Sequence, residues 1–153
     1  MADTTNDLLI EQSQGEPQEP CLHYAIKANE TIPMGTLAMQ VVGNLYAERY
    51  KANTTNAVIL GVAAARYVET TGSTYTRPND QPMVFLRGAF KHFATDGTIT
   101  ADDLGALVAF KDNHTVGHTA AAHDGKGMLL AIDQRLRSGQ VRYVTRIIQS
   151  GPT

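Results

Sequence analysis

Seventeen residues, KDNHTVGHTAAAHDGKG from Lys111 to Gly127, hold three of the five histidines: His114, His118 and His123. Imidazoles at this density are the ingredients of a metal centre or of acid–base chemistry near neutral pH. His114 and His118 are four residues apart, a spacing that puts both on one face of a helix. Thr115, Val116, Gly117 and Thr119 argue against a helix here. On an extended strand four steps span ~13 Å. One zinc with ligands at roughly 2 Å does not bridge that gap, unless the chain turns at Gly117. The reading is therefore a loop carrying histidines, with His114, His118 and His123 kept as metal-ligand candidates and no cofactor expected.

Other reactive residues form no recognisable set. The serines, Ser13, Ser73, Ser138 and Ser150, lie in tail, loop, turn and terminus, outside any Gly-x-Ser-x-Gly elbow. Cys21 and His23 share one side of a strand, but His23 has no evident acid to orient it. Asp102 and Asp103 make an adjacent carboxylate pair, which helix capping explains: Thr100 followed by Asp103 is a relative of the capping box. No nucleotide-binding glycine motif occurs. The expectation is a protein that is not an enzyme.

The elements that would carry these residues read as β. Leu22, Tyr24 and Ile26 alternate with His23, Ala25 and Lys27. Thr36–Val42, Asn44–Lys51 and the apolar run Ala57–Glu69 follow, with Val58, Ile59, Val62 and Val68 favouring strand over helix in the last. MVFLRGAFKHFA, from Met83, reads as a strand pair or one bent strand with a bulge at Gly88. One helical turn, Ala101–Leu104, is followed by Gly105 and feeds a strand at Leu107–Phe110. Met128–Leu136 and Val141–Ile148 close the chain as a hairpin around Ser138-Gly139. About eight short strands separated by turns predict a mostly β chain, a barrel or a sandwich.

With 153 residues the prior is one domain, and the single cysteine excludes an internal disulfide. No apolar run approaches the roughly 20 residues that span a bilayer as a helix, and the first residues lack the basic and apolar regions of a signal peptide. The net charge of −2 gives nucleic-acid binding no support. Residues 1–20 contain five acids, Asp3, Asp7, Glu11, Glu16 and Glu19, and no Lys or Arg; the remainder then carries 13 basic and 10 acidic residues. This segment is polar, ends at Pro17 and Pro20, and is expected to be a flexible acidic arm (1–20) ahead of a single β-rich domain (21–153). Its one apolar triplet, Leu8, Leu9 and Ile10, is the expected anchor on a partner. Extended, the arm reaches ~65 Å. Four of the 13 basic residues, Arg135, Arg137, Arg142 and Arg146, fall in the closing hairpin. They read as a solvated sheet face or as a contact for an acidic partner, including a neighbour's arm.

Two stretches, AIKANETIPMGTLAMQ and TITADDLGALVAFKDNHTV, resemble a family of tailed-phage head decoration (capsid cement) proteins. In the second, Thr100, Asp103, Gly105, Val108, Asp112, Thr115 and Val116 carry the likeness, and the strand before it and hairpin after it come in the family's order. The likeness covers roughly residues 21–148. It implies a small β-barrel or β-tulip-like domain that binds the outer surface of a capsid, on the major capsid protein lattice, beside neighbouring copies of itself, with a trimer favoured. It implies a place on the virion exterior after synthesis in the host cytoplasm, and no membrane or direct nucleic-acid contact. The alternatives are a tail-associated module binding host-surface glycans, where Tyr75 would stack on a sugar, and a small metal-binding protein built on the histidine loop.

Overall fold

The computed structural model of the chain describes residues 3–12, 20–70, 75–76, 82–135 and 141–148, with the backbone alone at 75–76, 133–135 and 141–142. The chain is mostly β: these residues hold fifteen strands and one 3-10 turn. In chain order the strands are β1 (Cys21–His23), β2 (Ala25–Ile26), β3 (Thr31–Ile32), β4 (Leu37–Val41), β5 (Glu48–Arg49), β6 (Ala57–Ala63), β7 (Tyr67–Val68) and β8 (Tyr75–Thr76). Then come β9 (Met83–Leu86), β10 (Ala89–Phe90), β11 (Ala94–Thr95), β12 (Leu107–Phe110), β13 (Thr115–Gly117), β14 (Lys126–Arg135) and β15 (Val141–Ile148). The 3-10 turn, Ala101–Asp103, precedes β12.

A five-stranded sheet runs β1-β9-β6-β4-β5 and a six-stranded sheet runs β10-β15-β14-β12-β13-β11; β2-β8 and β3-β7 are two-stranded ribbons. Both larger orders end on edge strands, so among the described residues no barrel closes. The stretch from Met83 is split between the sheets. Met83–Leu86 belongs to the first and Ala89–Phe90 to the second, with Gly88 at the corner rather than in a bulge. The Asn44–Lys51 expectation shrinks to Glu48–Arg49 with a bridge at Ala47, because a turn and loop occupy the residues before it.

Two apolar cores flank the five-stranded sheet, which explains why its central strand is apolar without a break. Leu37, Met39, Ile59 and Val62 face a core shared with Phe90, Val108, Phe110, Val116 and Leu129 of the other sheet. Ala38, Leu60 and Ala63 face a second core with Ile26, Ile32, Tyr67, Met83 and Phe85. Strict alternation would put Ile59 and Val62 on opposite faces. They share a face because the register slips between Ala38↔Gly61 and Met39↔Ile59, leaving an extra residue in β6. Gly61 sits at that bulge with φ +139°, and a Cβ there would stand 2.5 Å from the Leu86 carbonyl oxygen. Glycine is required on both counts.

The two larger sheets are also tied by a buried phenol. Tyr50 donates to the Phe110 carbonyl at 2.9 Å and accepts from the Gly125 N–H at 2.8 Å. Burial pushes its ionisation well above the usual tyrosine range, so the ring stays a neutral hydrogen-bonding post.

Candidate functional site

The histidine stretch is built around a strand. β13 pairs antiparallel with β12 and parallel with β11, and His114 and His118 stand at its two ends. Each imidazole has its own carboxylate. His114 Nδ1 lies 2.8 Å from Asp112 Oδ1, and the His114 backbone N–H donates to the same oxygen at 2.9 Å. His118 Nδ1 lies 2.6 Å from Asp103 Oδ1. The backbone N–H of His123 donates to Asn53 Oδ1 instead. Among the described residues no three His, Cys, Asp or Glu side chains gather as a metal set.

Asp103 does more than end a helical turn. Its Oδ2 accepts the Thr100 N–H at 2.8 Å, the reach-back half of a capping box, while Oδ1 holds His118. The Thr100 hydrogen bond is the main reason its carboxyl titrates below the usual range; burial works against this and His118 adds to it. At Asp112 burial opposes ionisation most strongly, but hydrogen bonds from the His114 ring and backbone outweigh it and the carboxyl also sits low. Asp124, in the loop that carries His123, is buried. Its oxygens accept the Asn53 N–H at 2.9 Å, the Ala121 N–H at 2.8 Å and Lys111 Nζ at 3.3 Å. The loop is thus folded around an acid rather than around its imidazoles.

Among the described residues His23 pairs with an amide rather than a carboxylate. Its Nδ1 accepts the Ala25 N–H at 3.2 Å, so Nε2 carries the proton toward Gln40 Oε1 at 3.0 Å. Cys21 is half-buried and packs against the second core.

The arm residues lie along the body. Asp3 pairs with Arg49 at 3.6 Å. Thr4 and Asn113 exchange two hydrogen bonds, both 3.0 Å: Thr4 N–H to Asn113 Oδ1, and Asn113 Nδ2 to the Thr4 carbonyl. Arg66 Nη1 donates to the Thr5 carbonyl and to Asp7 Oδ1, each at 3.0 Å. Asp7 Oδ1 also accepts the Met34 N–H at 2.9 Å, and the Leu8 N–H donates to the Met34 carbonyl at 2.7 Å. Gly35 makes this approach possible. At φ +82°, a Cβ there would meet the Leu8 carbonyl oxygen at 2.5 Å. Further along, His92 Nδ1 accepts the Glu11 N–H and its Nε2 reaches the Gly35 carbonyl at 2.8 Å. Gln12 closes the track with a bridge to Phe90.

The triplet divides its roles. Ile10 packs against the first core, Leu8 is half-buried, and Leu9 is 76% exposed. The arginine hairpin is present as β14 and β15, in register Gln134↔Arg142 and Arg135↔Val141. Arg137 lies outside the described residues, and Arg135 and Arg142 are placed by backbone alone. Arg146 stands opposite Met128 on one side and Ala89 on the other. It is half-buried with an enclosed, unbonded Nε, so it is not part of an open solvated face.

Arg49, Arg66, Asn113 and His92 were not singled out by sequence reasoning. Each meets the arm from a distant part of the chain, and only the net positive charge of the body against an acidic arm hinted at them. Asp112 had a local signal, since an Asp two residues before a histidine readily accepts its backbone N–H. No protein-family model matches the chain, and neither does any curated protein or solved structure.

Proposed function

We propose that the chain is a non-enzymatic structural virion protein that binds the outer surface of a phage capsid and cements the shell. The observation that carries this reading is the arm: a ten-residue acidic strap whose holding bonds are ion pairs and backbone hydrogen bonds made to a β body. Contacts of this kind are individually weak, and an arm held so loosely is free to be recruited to a shell, where contacts between molecules gain strength by repetition over the lattice. The likeness of residues 21–148 to decoration proteins points the same way. Leu9 and the open apolar surface of Leu22, Tyr24 and Leu45 offer ground for contact with the shell or with neighbouring copies.

Heating bare expanded heads with and without the purified chain tests this. Cementing raises the temperature at which the heads release DNA. An unchanged release temperature at saturating protein rejects it. A second reading, glycan binding by a tail-associated module, draws on Tyr24, 41% exposed beside Leu22 and Leu45, since an aromatic face can stack on a sugar. Binding to a glycan array, lost on Tyr24→Ala, would favour it.

A further inference from the structure

We propose that the outer face of the six-stranded sheet is a docking surface for a protein segment that presents a carboxylate between apolar side chains. The cement reading gives this face no role, and the face is argued from its own residues.

The strand register defines the face. Residues directly opposite each other on antiparallel strands point to the same side. Leu107 stands opposite Met128, Met128 opposite Arg146, and Arg146 opposite Ala89, so one row crosses four strands. The next residues along, Val108, Leu129 and Phe90, are buried in the first core. Side chains alternate along a strand, so the row points away from that core. Lys126, two residues before Met128 on β14, lies on the same side.

An antiparallel sheet with one open face normally presents polar side chains there. Here Leu107 is 56% exposed, and Leu130, which follows the buried Leu129, is 38% exposed. The same face carries two cations. Arg146 is half-buried, and its Nε is enclosed without an acceptor. Lys126 is half-buried as well. Among the described residues neither is held by an acid. The pairing makes them diagonal neighbours on adjacent strands, with backbones about 7–8 Å apart, so one anion can meet both.

A donor withdrawn from water without an acceptor is costly. A carboxylate matches the planar guanidinium and takes the ammonium as a further donor. Apolar side chains on either side of that carboxylate would cover Leu107 and Met128 and keep water from the pair. Two copies laid face to face do not fit, because they set these cations against one another. A nucleic acid does not fit either, because the row holds no aromatic ring for bases to stack on.

NMR titration of the isotope-labelled full chain with two blocked tripeptides, acetyl-Leu-Glu-Leu-amide and its Gln counterpart, tests this. The Glu peptide is expected to move the amide signals of Leu107, Met128 and Arg146 saturably at about millimolar concentration. It is expected to bind about tenfold more tightly than the Gln peptide. Arg146→Met keeps an unbranched stem without the charge, and is expected to erase that preference. Lys126→Gln is expected to reduce it, and serves alone if Arg146→Met fails to fold. Equal affinity for the two peptides, or shifts confined to other surfaces, overturns the proposal. Tighter binding through this face to vesicles of phosphatidylserine and phosphatidylcholine also overturns it, and assigns the face to a lipid surface.

Discussion

Replacing Asp124 with alanine is expected to be among the most costly single changes outside the apolar cores. The side chain is 1% exposed and accepts from the Asn53 N–H, the Ala121 N–H and Lys111 Nζ. Removal leaves two backbone donors without their acceptor and the Lys111 ammonium without its counter-charge, though it still donates to the Thr119 carbonyl at 2.6 Å. The donors lie near the surface and the lysine side chain is 27% exposed, so water recovers part of the loss. A hydrogen bond to a charged acceptor is worth about 1.5–3 kcal/mol, and breaking a fully buried ion pair costs about 3–5 kcal/mol. With partial rehydration, Asp124→Ala should destabilise by about 2–4 kcal/mol. Asp124→Asn keeps the shape and one acceptor but turns a donor toward Ala121 or Lys111, and should cost about half as much. Urea unfolding, with Lys111→Met completing a double-mutant cycle, measures these values. The cycle should show a coupling of about 1 kcal/mol. Asp124→Ala within about 0.5 kcal/mol of wild type, with no coupling, would refute the view that this acid organises the loop.

Acid sensitivity follows from Asp103 and Asp112, whose carboxyls titrate below their ordinary range in the folded chain. The unfolded chain therefore binds their protons first, and the stability they contribute is complete above the ordinary carboxylate pKa of about 4 and lost as pH falls through the lower folded values. Denaturation midpoints from pH 7 to pH 2 should decline chiefly below pH 4, and Asp112→Asn should flatten that decline. Gly61→Ala, which forces a Cβ against the Leu86 carbonyl at φ +139°, should cost about 2–4 kcal/mol in urea unfolding. Gly35→Ala should free the arm while leaving the cores packed, read as faster hydrogen exchange at Leu8 with Phe110 unaffected. Tyr50→Phe leaves the Gly125 N–H without its acceptor and should cost about 1–3 kcal/mol.

Local periodicity made much of the fold readable. The closing hairpin, the strand at Leu107–Phe110 and the turn at Thr100–Asp103 were all legible, because each is specified by residues within a few positions. The apolar run from Ala57 was legible as strand over Ala57–Ala63, but not its break before Tyr67–Val68 nor its two-faced burial, since the bulge at Gly61 changes the phase of the side chains midway. The break at Gly88 was legible only as one of two readings, a strand pair or a bent strand, since a glycine in a strand pattern signals a bulge or a corner equally well. At the candidate site, pairing decided what spacing left open. His118 meets Asp103 fifteen residues back, and Thr4 meets Asn113 across 109 residues. Contacts of such separation leave no periodic trace, so an acidic arm and a basic body were readable while Arg49, Arg66 and Asn113 were not.

Co-sedimentation with bare, expanded heads of the phage that encodes the chain is the most direct test of the proposed binding to a capsid lattice. Saturable binding at a fixed number of copies per shell subunit is expected. Failure to bind heads, whether expanded or unexpanded, at any protein concentration would contradict it.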